Sequence, residues 1–298
     1  MTEGAEPPSW SATELAQLRL DAIESFVRWW GTEAKAAYQE YFRTALATVD
    51  ALLSLTDDLR TFGPEVLQND DPKLREAARY LAGPPLSEDD LKILTGASRL
   101  WLPGNLTSVV SVILQALDAE RFPWLTEPQR TPTSAERERA RLWTAGLLAA
   151  QKAATGRRSH LSRKQERAID DVLQGPLRFT KVSPRTISSV RDLEPGEYCR
   201  QSLVGGTRAD LSVGLRDRLL VIECKVSNSE VNSYKRLNHE VGDKATKWKL
   251  AFGNQAVPAA VLSGAYSLAN LESAQRTGIT LFWEHDLASF VDFVSRTR

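Results

Sequence analysis

One strongly apolar run constrains the fold of this chain more than any other segment. The run LLVIECKV, residues 219–226, carries Glu223 and Lys225 among aliphatic side chains. Charged side chains are expensive to bury without partners, so their presence here indicates a purpose beyond surface solvation. Side chains alternate along a strand, which places Glu223 and Lys225 on one face. The residues predicted for the opposite, core face are Leu220, Ile222 and Cys224, with Leu211 and Val213 on the preceding strand.

The segment RADLSVGL precedes this run, and a polar turn that contains Arg216 and Asp217 separates the two. This pattern predicts a β-hairpin. If the turn is centred between Arg216 and Asp217, Asp210 lies opposite Glu223, with the two Cβ atoms about 5 Å apart. Facing carboxylates repel each other unless a cation lies between them, and oxygen ligands with room for water suit Mg²⁺.

Asp210 and Glu223 are therefore the predicted Mg²⁺ ligands. Hydrolysis of a phosphodiester needs an activated water and positive charge on the transition state, and a carboxylate-held Mg²⁺ supplies both. Lys225, beside these acids, is predicted to hold the attacking water and to stabilise the developing negative charge. The three residues together predict a phosphodiester hydrolase.

The two halves of the chain differ in pattern. Residues 11–55 have the apolar spacing of a long amphipathic helix, and the first half is predicted to be all-helical. The segment TGRRS, residues 155–159, looks like a break, so we expect a helical domain at 1–155 and an α/β domain at 156–298. The strands expected in the second domain are 178–182, 197–204, 208–215, 218–226, 257–264 and 279–283, and the helices are 162–175, 230–252, 267–277 and 285–296.

Charge is distributed unevenly between these halves. Residues 1–155 contain 16 Lys and Arg against 22 Asp and Glu, net −6, whereas residues 156–298 contain 22 against 16, net +6. The second half is thus the candidate polyanion-binding half. With two cysteines, no export signal and no apolar stretch long enough to cross a bilayer, we expect a soluble protein of the reducing cytoplasm.

Asp210, followed by Glu223-Cys224-Lys225 on the adjoining strand, resembles the D…ExK signature of the PD-(D/E)xK nuclease superfamily, with Ala209 where the superfamily name has proline. The helix SRKQERAIDDVLQG resembles the first core helix of many restriction endonucleases, which implies that Glu166 assists the metal site. The segments ECKVSNSEVNSYKRLNHEVGDKATKW, FGNQAVPAAVLSG and GITLFWEHDL look like the XamI-type restriction endonuclease family. The resemblance implies an α/β (α+β) fold with a PD-(D/E)xK core, in which helices flank a mixed sheet.

Polar residues that follow the active strand are candidates for DNA contact, through Lys and Arg to phosphate and through Asn to adenine. These residues are Asn228, Asn232, Lys235 and Arg236. The alternative interpretation is a solvated helix face. The resemblance implies double-stranded DNA as substrate, a homodimer that matches a short palindromic site, and a companion DNA methyltransferase.

Two other interpretations of the sequence stay open. In the first interpretation, the chain is the nuclease effector subunit of a multi-protein phage-defence or repair complex, with the acidic helical half as its docking domain. In the second it is a catalytically inactive DNA-binding module. The identity of the neighbouring genes would distinguish the first interpretation from a restriction enzyme that acts alone. Loss of Mg²⁺-dependent nicking in Lys225→Ala, with DNA binding retained, would exclude the second interpretation.

Overall fold

The computed structural model describes residues 5–68, 71–127 and 130–298. The chain divides into two compact units. The helical unit is Glu33–Gly156. The sheet unit combines the described residues up to Thr32 with Arg157–Arg298.

The first half of the chain is helical, as predicted. Its α-helices are α1 (Ala12–Trp29), α2 (Lys35–Leu55), α3 (Pro64–Gln68), α4 (Pro72–Arg79), α5 (Glu88–Thr95), α6 (Leu106–Gln115) and α7 (Ser134–Gln174). A π-helical segment, Trp30–Ala34, follows α1, and 3-10 turns lie at Pro103–Asn105 and Pro123–Thr126. A capping box starts α1, where the Ser11 hydroxyl accepts from the Glu14 N–H and the Glu14 carboxylate accepts from the Ser11 N–H.

A buried arginine holds the helical unit together. The Arg121 side chain is 1% exposed and pairs with Asp118 at 2.6 Å. Its guanidinium also donates to the backbone carbonyls of Tyr80 at 2.8 Å and Ala82 at 2.6 Å. Burial opposes ionisation of Asp118, but hydrogen bonds and the charge of Arg121 outweigh it and lower the pKa of that carboxyl.

The sheet unit contains the strands and the remaining helices. The strands are β1 (Thr180–Val182), β2 (Thr186–Ile187), β3 (Glu197–Arg200), β4 (Leu203–Val204), β5 (Thr207–Arg208), β6 (Leu211–Gly214), β7 (Leu219–Asn228), β8 (Ala256–Ala265) and β9 (Thr280–Trp283). The helices are α8 (Glu230–Tyr234), α9 (Gly242–Phe252), α10 (Leu268–Arg276) and α11 (Ala288–Thr297), with a π-helical segment at Lys235–Val241 and 3-10 turns at Val190–Asp192 and Gly253–Gln255.

Six strands form a mixed sheet in the order β1-β3-β6-β7-β8-β9. The pairs β3–β6 and β6–β7 are antiparallel, whereas β1–β3, β7–β8 and β8–β9 are parallel. The predicted strand at 197–204 divides into β3 and β4, and β4 belongs to a separate small sheet in the order β2-β4-β5. Strand β7, which carries Glu223 and Lys225, is an interior strand of the main sheet.

Helices cover both faces of the main sheet, which confirms the predicted mixed α/β architecture. One face packs against α7 and α11, and its core includes the predicted residues Leu211, Val213, Leu220, Ile222 and Cys224. The other face packs against α1, α9 and α10, with Leu15, Ala245 and Leu271 in its core. The alternation expected for β7 is therefore observed.

The described residues up to Thr32 belong to the sheet unit, whereas the predicted division was 1–155 and 156–298. The reason is the packing of α1, whose Leu15 and Ala22 are buried in the core formed with α10 and β8. Trp10 reinforces this packing, because its indole N–H donates to the Leu281 carbonyl at 2.9 Å. Apolar periodicity identified the helix but carried no information about its packing partner.

The break expected at residues 155–159 was wrong, because α7 runs without interruption from Ser134 to Gln174. The segment contains no proline, and an isolated glycine such as Gly156 weakens a helix by only about 1 kcal/mol. The division between the two units nevertheless falls at Gly156 and Arg157, within this helix. Among the helices of the described ranges, none combines the length and apolar composition that a membrane span requires.

Replacement of Arg121 by methionine should destabilise the helical unit. The substitution leaves Asp118 and several buried carbonyls without their donor, and loss of one partner from a buried ion pair typically costs about 3–5 kcal/mol. Urea denaturation followed by circular dichroism would measure the change in unfolding free energy. The control is Arg139→Met at an exposed position of α7, expected within about 0.5 kcal/mol of the wild type. Equal stability of the two variants would contradict the role assigned to Arg121.

Candidate active site

The β6–β7 hairpin has the predicted register. Leu211 pairs with Ile222 and Gly214 with Leu219. The Leu215 N–H donates to the Arg218 carbonyl at 3.0 Å, so the turn is centred between positions 216 and 217. This confirms the turn placement on which the pairing of Asp210 with Glu223 was based.

Asp210 lies immediately before β6 and is tied to β7 by two hydrogen bonds. Its N–H donates to the Ile222 carbonyl at 3.1 Å, and its Oδ2 accepts from the Cys224 N–H at 2.8 Å. The second bond fixes the carboxylate beside the segment Glu223–Lys225. The two acids are close enough for the charge of Asp210 to affect the ionisation of Glu223.

Glu223 is completely buried, with 0% of its surface exposed. Its Oε1 accepts a 2.6 Å hydrogen bond from Lys244 Nζ, and its Oε2 lies 2.9 Å from Lys225 Nζ. Burial raises the pKa of the Glu223 carboxyl, and the negative charge of Asp210 raises it further. The two ammonium groups oppose this shift without reversing it.

Lys225 is held at both its side chain and its backbone. Burial disfavours its ammonium form, but the negative charge of Glu223, whose Oε2 lies 2.9 Å away, outweighs burial and raises the pKa of Lys225. Glu240 lies 3.5 Å from the same ammonium. The Lys225 carbonyl accepts from Gln165 Nε2 at 3.1 Å and from the Tyr266 hydroxyl at 2.8 Å. These bonds anchor the active strand to α7 and to the residue after β8.

A cleft within the sheet unit opens onto this group. Its lining includes Asp210 and Lys225, together with residues from α1, α7, the end of β7 and the segment after it: Phe26, Arg157, Ser162, Asn228, Arg236 and Glu240. Arg157, Lys225 and Arg236 are cationic. A polyanion such as a phosphodiester therefore finds compensating charge beside the two acids.

The predicted DNA contacts occupy two kinds of position. Asn228 and Arg236 line the cleft, whereas Asn232 and Lys235 lie on the exposed surface of α8 and the π-helical segment after it. The Ser229 hydroxyl caps the start of α8 by accepting a 3.3 Å hydrogen bond from the Asn232 N–H. The structure thus brings two of the four residues to the candidate site.

Glu166 lies on α7 and is 9% exposed. Its carboxylate forms an ion pair with Arg200 and accepts a 3.3 Å hydrogen bond from the Ser162 hydroxyl. Arg200 also pairs with Asp170 at 3.2 Å. The neighbouring Gln165, not Glu166, makes the direct hydrogen bond to Lys225. The expected role of Glu166 in a metal site stays a prediction.

Asp210 and Glu223 form a donor set that fits a hard divalent cation. Glu223 Oε2 is buried and has no well-aligned hydrogen-bond donor in the described part of the chain, although the Lys225 ammonium is near it. Within residues 5–68, 71–127 and 130–298, no cluster of three or more His, Cys, Asp or Glu side chains suits a metal. Two carboxylates with the other positions left to water and phosphate is the arrangement typical of Mg²⁺.

Sequence reasoning missed several residues of the site. Lys244, Arg200, Gln165 and Tyr266 all contact the active hairpin or its charged groups. Lys244 is 21 residues beyond Glu223 and lies on helix α9, whereas Glu223 lies on strand β7. The signal available in the sequence was the basic composition of α9, which is equally typical of a solvated helix.

Comparisons with known proteins assign the chain to a family. The family described as XamI restriction endonuclease matches residues 57–283. The type II restriction enzyme XamI of Xanthomonas campestris pv. amaranthicola is 37% identical over 271 residues, which cover 85% of this chain and 95% of that protein. This chain belongs to the XamI restriction endonuclease family, as the sequence resemblance predicted.

Among solved structures, protein VC1899 from Vibrio cholerae aligns over 98% of this chain and 57% of its own length, with 12% identity and a TM-score of 0.30. A score this low carries no argument about fold or function.

The substitution Asp210→Asn should lower the pKa of Glu223. It keeps an oxygen for the Cys224 N–H but removes the negative charge that disfavours ionisation of Glu223. Because a protonated carboxyl cannot hold a cation, the variant should retain an ionised Glu223 to lower pH. Carboxyl ¹³C NMR titration would measure this shift. Asp217→Asn, in the exposed turn of the same hairpin, is the control and should leave the pKa unchanged. An unchanged or higher pKa in Asp210→Asn would contradict the proximity of the two acids.

Proposed function

We propose that this chain is a Mg²⁺-dependent type II restriction endonuclease with a PD-(D/E)xK core, which hydrolyses phosphodiester bonds at specific sites in double-stranded DNA. The observation that carries the proposal is the grouping of Asp210, Glu223 and Lys225 on one face of an interior hairpin. Membership of the XamI restriction endonuclease family supports the reaction and the substrate.

Each residue of the hairpin has a distinct task in this proposal. Asp210 and Glu223 would hold the cation through carboxylate oxygens. A bound divalent cation would supply Lewis acidity toward the phosphate and would acidify water. The Lys225 ammonium orients the attacking water and stabilises the negative charge that develops on the phosphate oxygens. Glu240 and Glu223 hold this ammonium in place, and the Gln165 and Tyr266 bonds to its carbonyl fix the strand.

Glu166 assists from α7 rather than as a direct partner of Glu223. Its ion pair with Arg200 links the helix to β3, which pairs with β6 at Leu211, the residue after Asp210. The proposal therefore assigns Glu166 to the support of the first metal ligand. Packing of this kind keeps reacting groups within the narrow geometry that catalysis needs.

The DNA backbone would follow the cationic cleft. Asn228 and Arg236 line it beside Lys225, and Asn232 and Lys235 extend the polar surface along α8 and its continuation. The net charge of +6 on residues 156–298 favours this half as the DNA-binding part. In this proposal Lys235 and Arg236 contact phosphates and the two asparagines contact base edges.

Cleavage of both strands at a palindromic site requires two copies of such a centre, so we propose a homodimer whose two-fold axis matches that of the DNA. A companion DNA methyltransferase would protect the host genome. The two cysteines, both buried and free, suit the reducing cytoplasm. The relative from Xanthomonas, which is named a type II restriction enzyme, supports this interpretation over that of an effector subunit or an inactive module.

Digestion of unmethylated phage DNA tests the proposed function. With Mg²⁺ the protein should produce discrete fragments whose ends share one sequence, and EDTA should prevent cleavage. A smear without common ends would support the effector interpretation instead. Binding without any cleavage would support the inactive module.

Replacement of Lys225 by methionine should reduce the cleavage rate by about 10² to 10³-fold, the usual effect of removing one preorganised electrostatic group. Single-turnover rates on a plasmid that contains the recognition site would measure this loss. Lys73→Met, an exposed substitution in the helical unit, is the control and should cleave at the wild-type rate. Cleavage by Lys225→Met at an unchanged rate would exclude the assigned role.

Replacement of Lys235 or Arg236 by glutamine should weaken DNA binding about equally for specific and nonspecific sequences. Each substitution removes one phosphate contact, so the slope of log K against log salt should fall in magnitude by about 1. Fluorescence anisotropy at several salt concentrations would measure both quantities. An unchanged slope for both variants would place the DNA elsewhere on the surface.

A further inference from the structure

We infer that Lys244 is the resident counter-cation of Glu223 in the metal-free protein, and that a divalent cation binds the site by displacing its ammonium group. This inference rests on the proposed function and assigns a role to a residue that the catalytic motif does not contain. Lys244 acts as a positioning residue that controls access of metal to the buried carboxylate.

The Lys244 ammonium is held by two oxygen acceptors. Its Nζ lies 2.6 Å from Glu223 Oε1 and 2.9 Å from the Arg208 carbonyl oxygen. Arg208 is two residues before Asp210. The ammonium therefore links the backbone next to Asp210 with the carboxylate of Glu223. A positive charge thus already lies against the carboxylate that would hold the metal.

Charge balance shows why this ammonium must leave. The carboxylates of Asp210, Glu223 and Glu240 carry three negative charges, and the ammonium groups of Lys225 and Lys244 beside them carry two positive charges. Addition of a divalent cation without other change would make this group net positive beside a fully buried residue. Like charges a few ångströms apart in a protein interior repel each other strongly, because little water screens them.

Lys244 is the more readily displaced of the two lysines. Its side chain is 29% exposed, against 15% for Lys225. It lies on α9, outside the sheet, and the Arg208 carbonyl gives its ammonium a ligand that does not depend on Glu223. Lys225 is fixed by its own strand and has Glu240 as a second partner. Loss of the Lys244 contact therefore disturbs the hairpin least.

A consequence is that metal and DNA bind cooperatively. Metal binding to the free protein works against the resident ammonium, whereas the phosphates of bound DNA neutralise the surplus positive charge. Because linkage is reciprocal, DNA raises the affinity for metal by the same factor by which metal raises the affinity for DNA. The ammonium of Lys244 thus weakens metal binding to the DNA-free protein.

Calorimetric titration of the DNA-free protein with Mg²⁺ tests the inference. Lys244→Met removes the competing charge and should bind Mg²⁺ about tenfold or more tightly than the wild type, as expected for loss of one adjacent like charge. Lys244→Arg keeps the charge and should resemble the wild type. Lys247→Met, exposed on the same helix, is the matched control and should also resemble it. A merely structural role of Lys244 predicts weaker binding in Lys244→Met, the opposite direction.

A second measurement uses the unmodified chain and so remains informative if Lys244→Met fails to fold. Amine acetylation followed by mass spectrometry should show that Mg²⁺ increases the reactivity of Lys244 and leaves that of Lys247 unchanged. Equal or weaker Mg²⁺ affinity in a folded Lys244→Met, or unchanged Lys244 reactivity at saturating Mg²⁺, would overturn the inference. Either result is compatible with Mg²⁺-dependent cleavage by the wild type, whereas absence of that cleavage overturns the proposed function itself.

Discussion

The structure of the sheet unit depends on one buried carboxylate and its compensation. Glu223 lies in an interior strand with no exposed surface, between the ammonium groups of Lys225 and Lys244. An ion in such a position is stable only if partners replace the water that it has lost. The elements that carry those partners, β7 itself and α9, must therefore pack in one arrangement, and that arrangement forms the site.

The burial that makes an ionised Glu223 energetically unfavourable also suits it to bind a cation. Low polarity strengthens every electrostatic interaction around the carboxylate, and burial together with Asp210 raises its pKa. A cation that satisfies both acids relieves this repulsion. A cleft lined by Asp210 and Lys225 supplies space beside these groups. The site thus combines strong fields with room next to the reacting groups.

The two faces of β7 have different roles, one in the apolar core and one in the candidate site. The residues of β7 that alternate with Glu223 and Lys225 belong to the core beneath α7 and α11, where Ile222 and Cys224 are buried. Gln165 on α7 and the Tyr266 hydroxyl then hold the backbone at Lys225. The core contacts on one face and these backbone hydrogen bonds together fix the position of β7. The helical unit contains a comparable arrangement, in which Arg121 satisfies carbonyls that no helix pairs.

The amino-acid sequence by itself determined what depends on short-range periodicity and chemistry. Alternation within LLVIECKV and the polar turn before it were sufficient to predict the hairpin, its register and the face shared by Glu223 and Lys225, since each follows from pleat geometry alone. The same local rules failed at residues 155–159, where a helix tolerates a glycine that resembled a break. Only the tertiary structure decided that α1 packs on the sheet, that Arg200 pairs with Glu166 and that Lys244 neutralises Glu223. These contacts join residues far apart in the chain, and their formation depends on how whole helices pack, a property that no local spacing encodes.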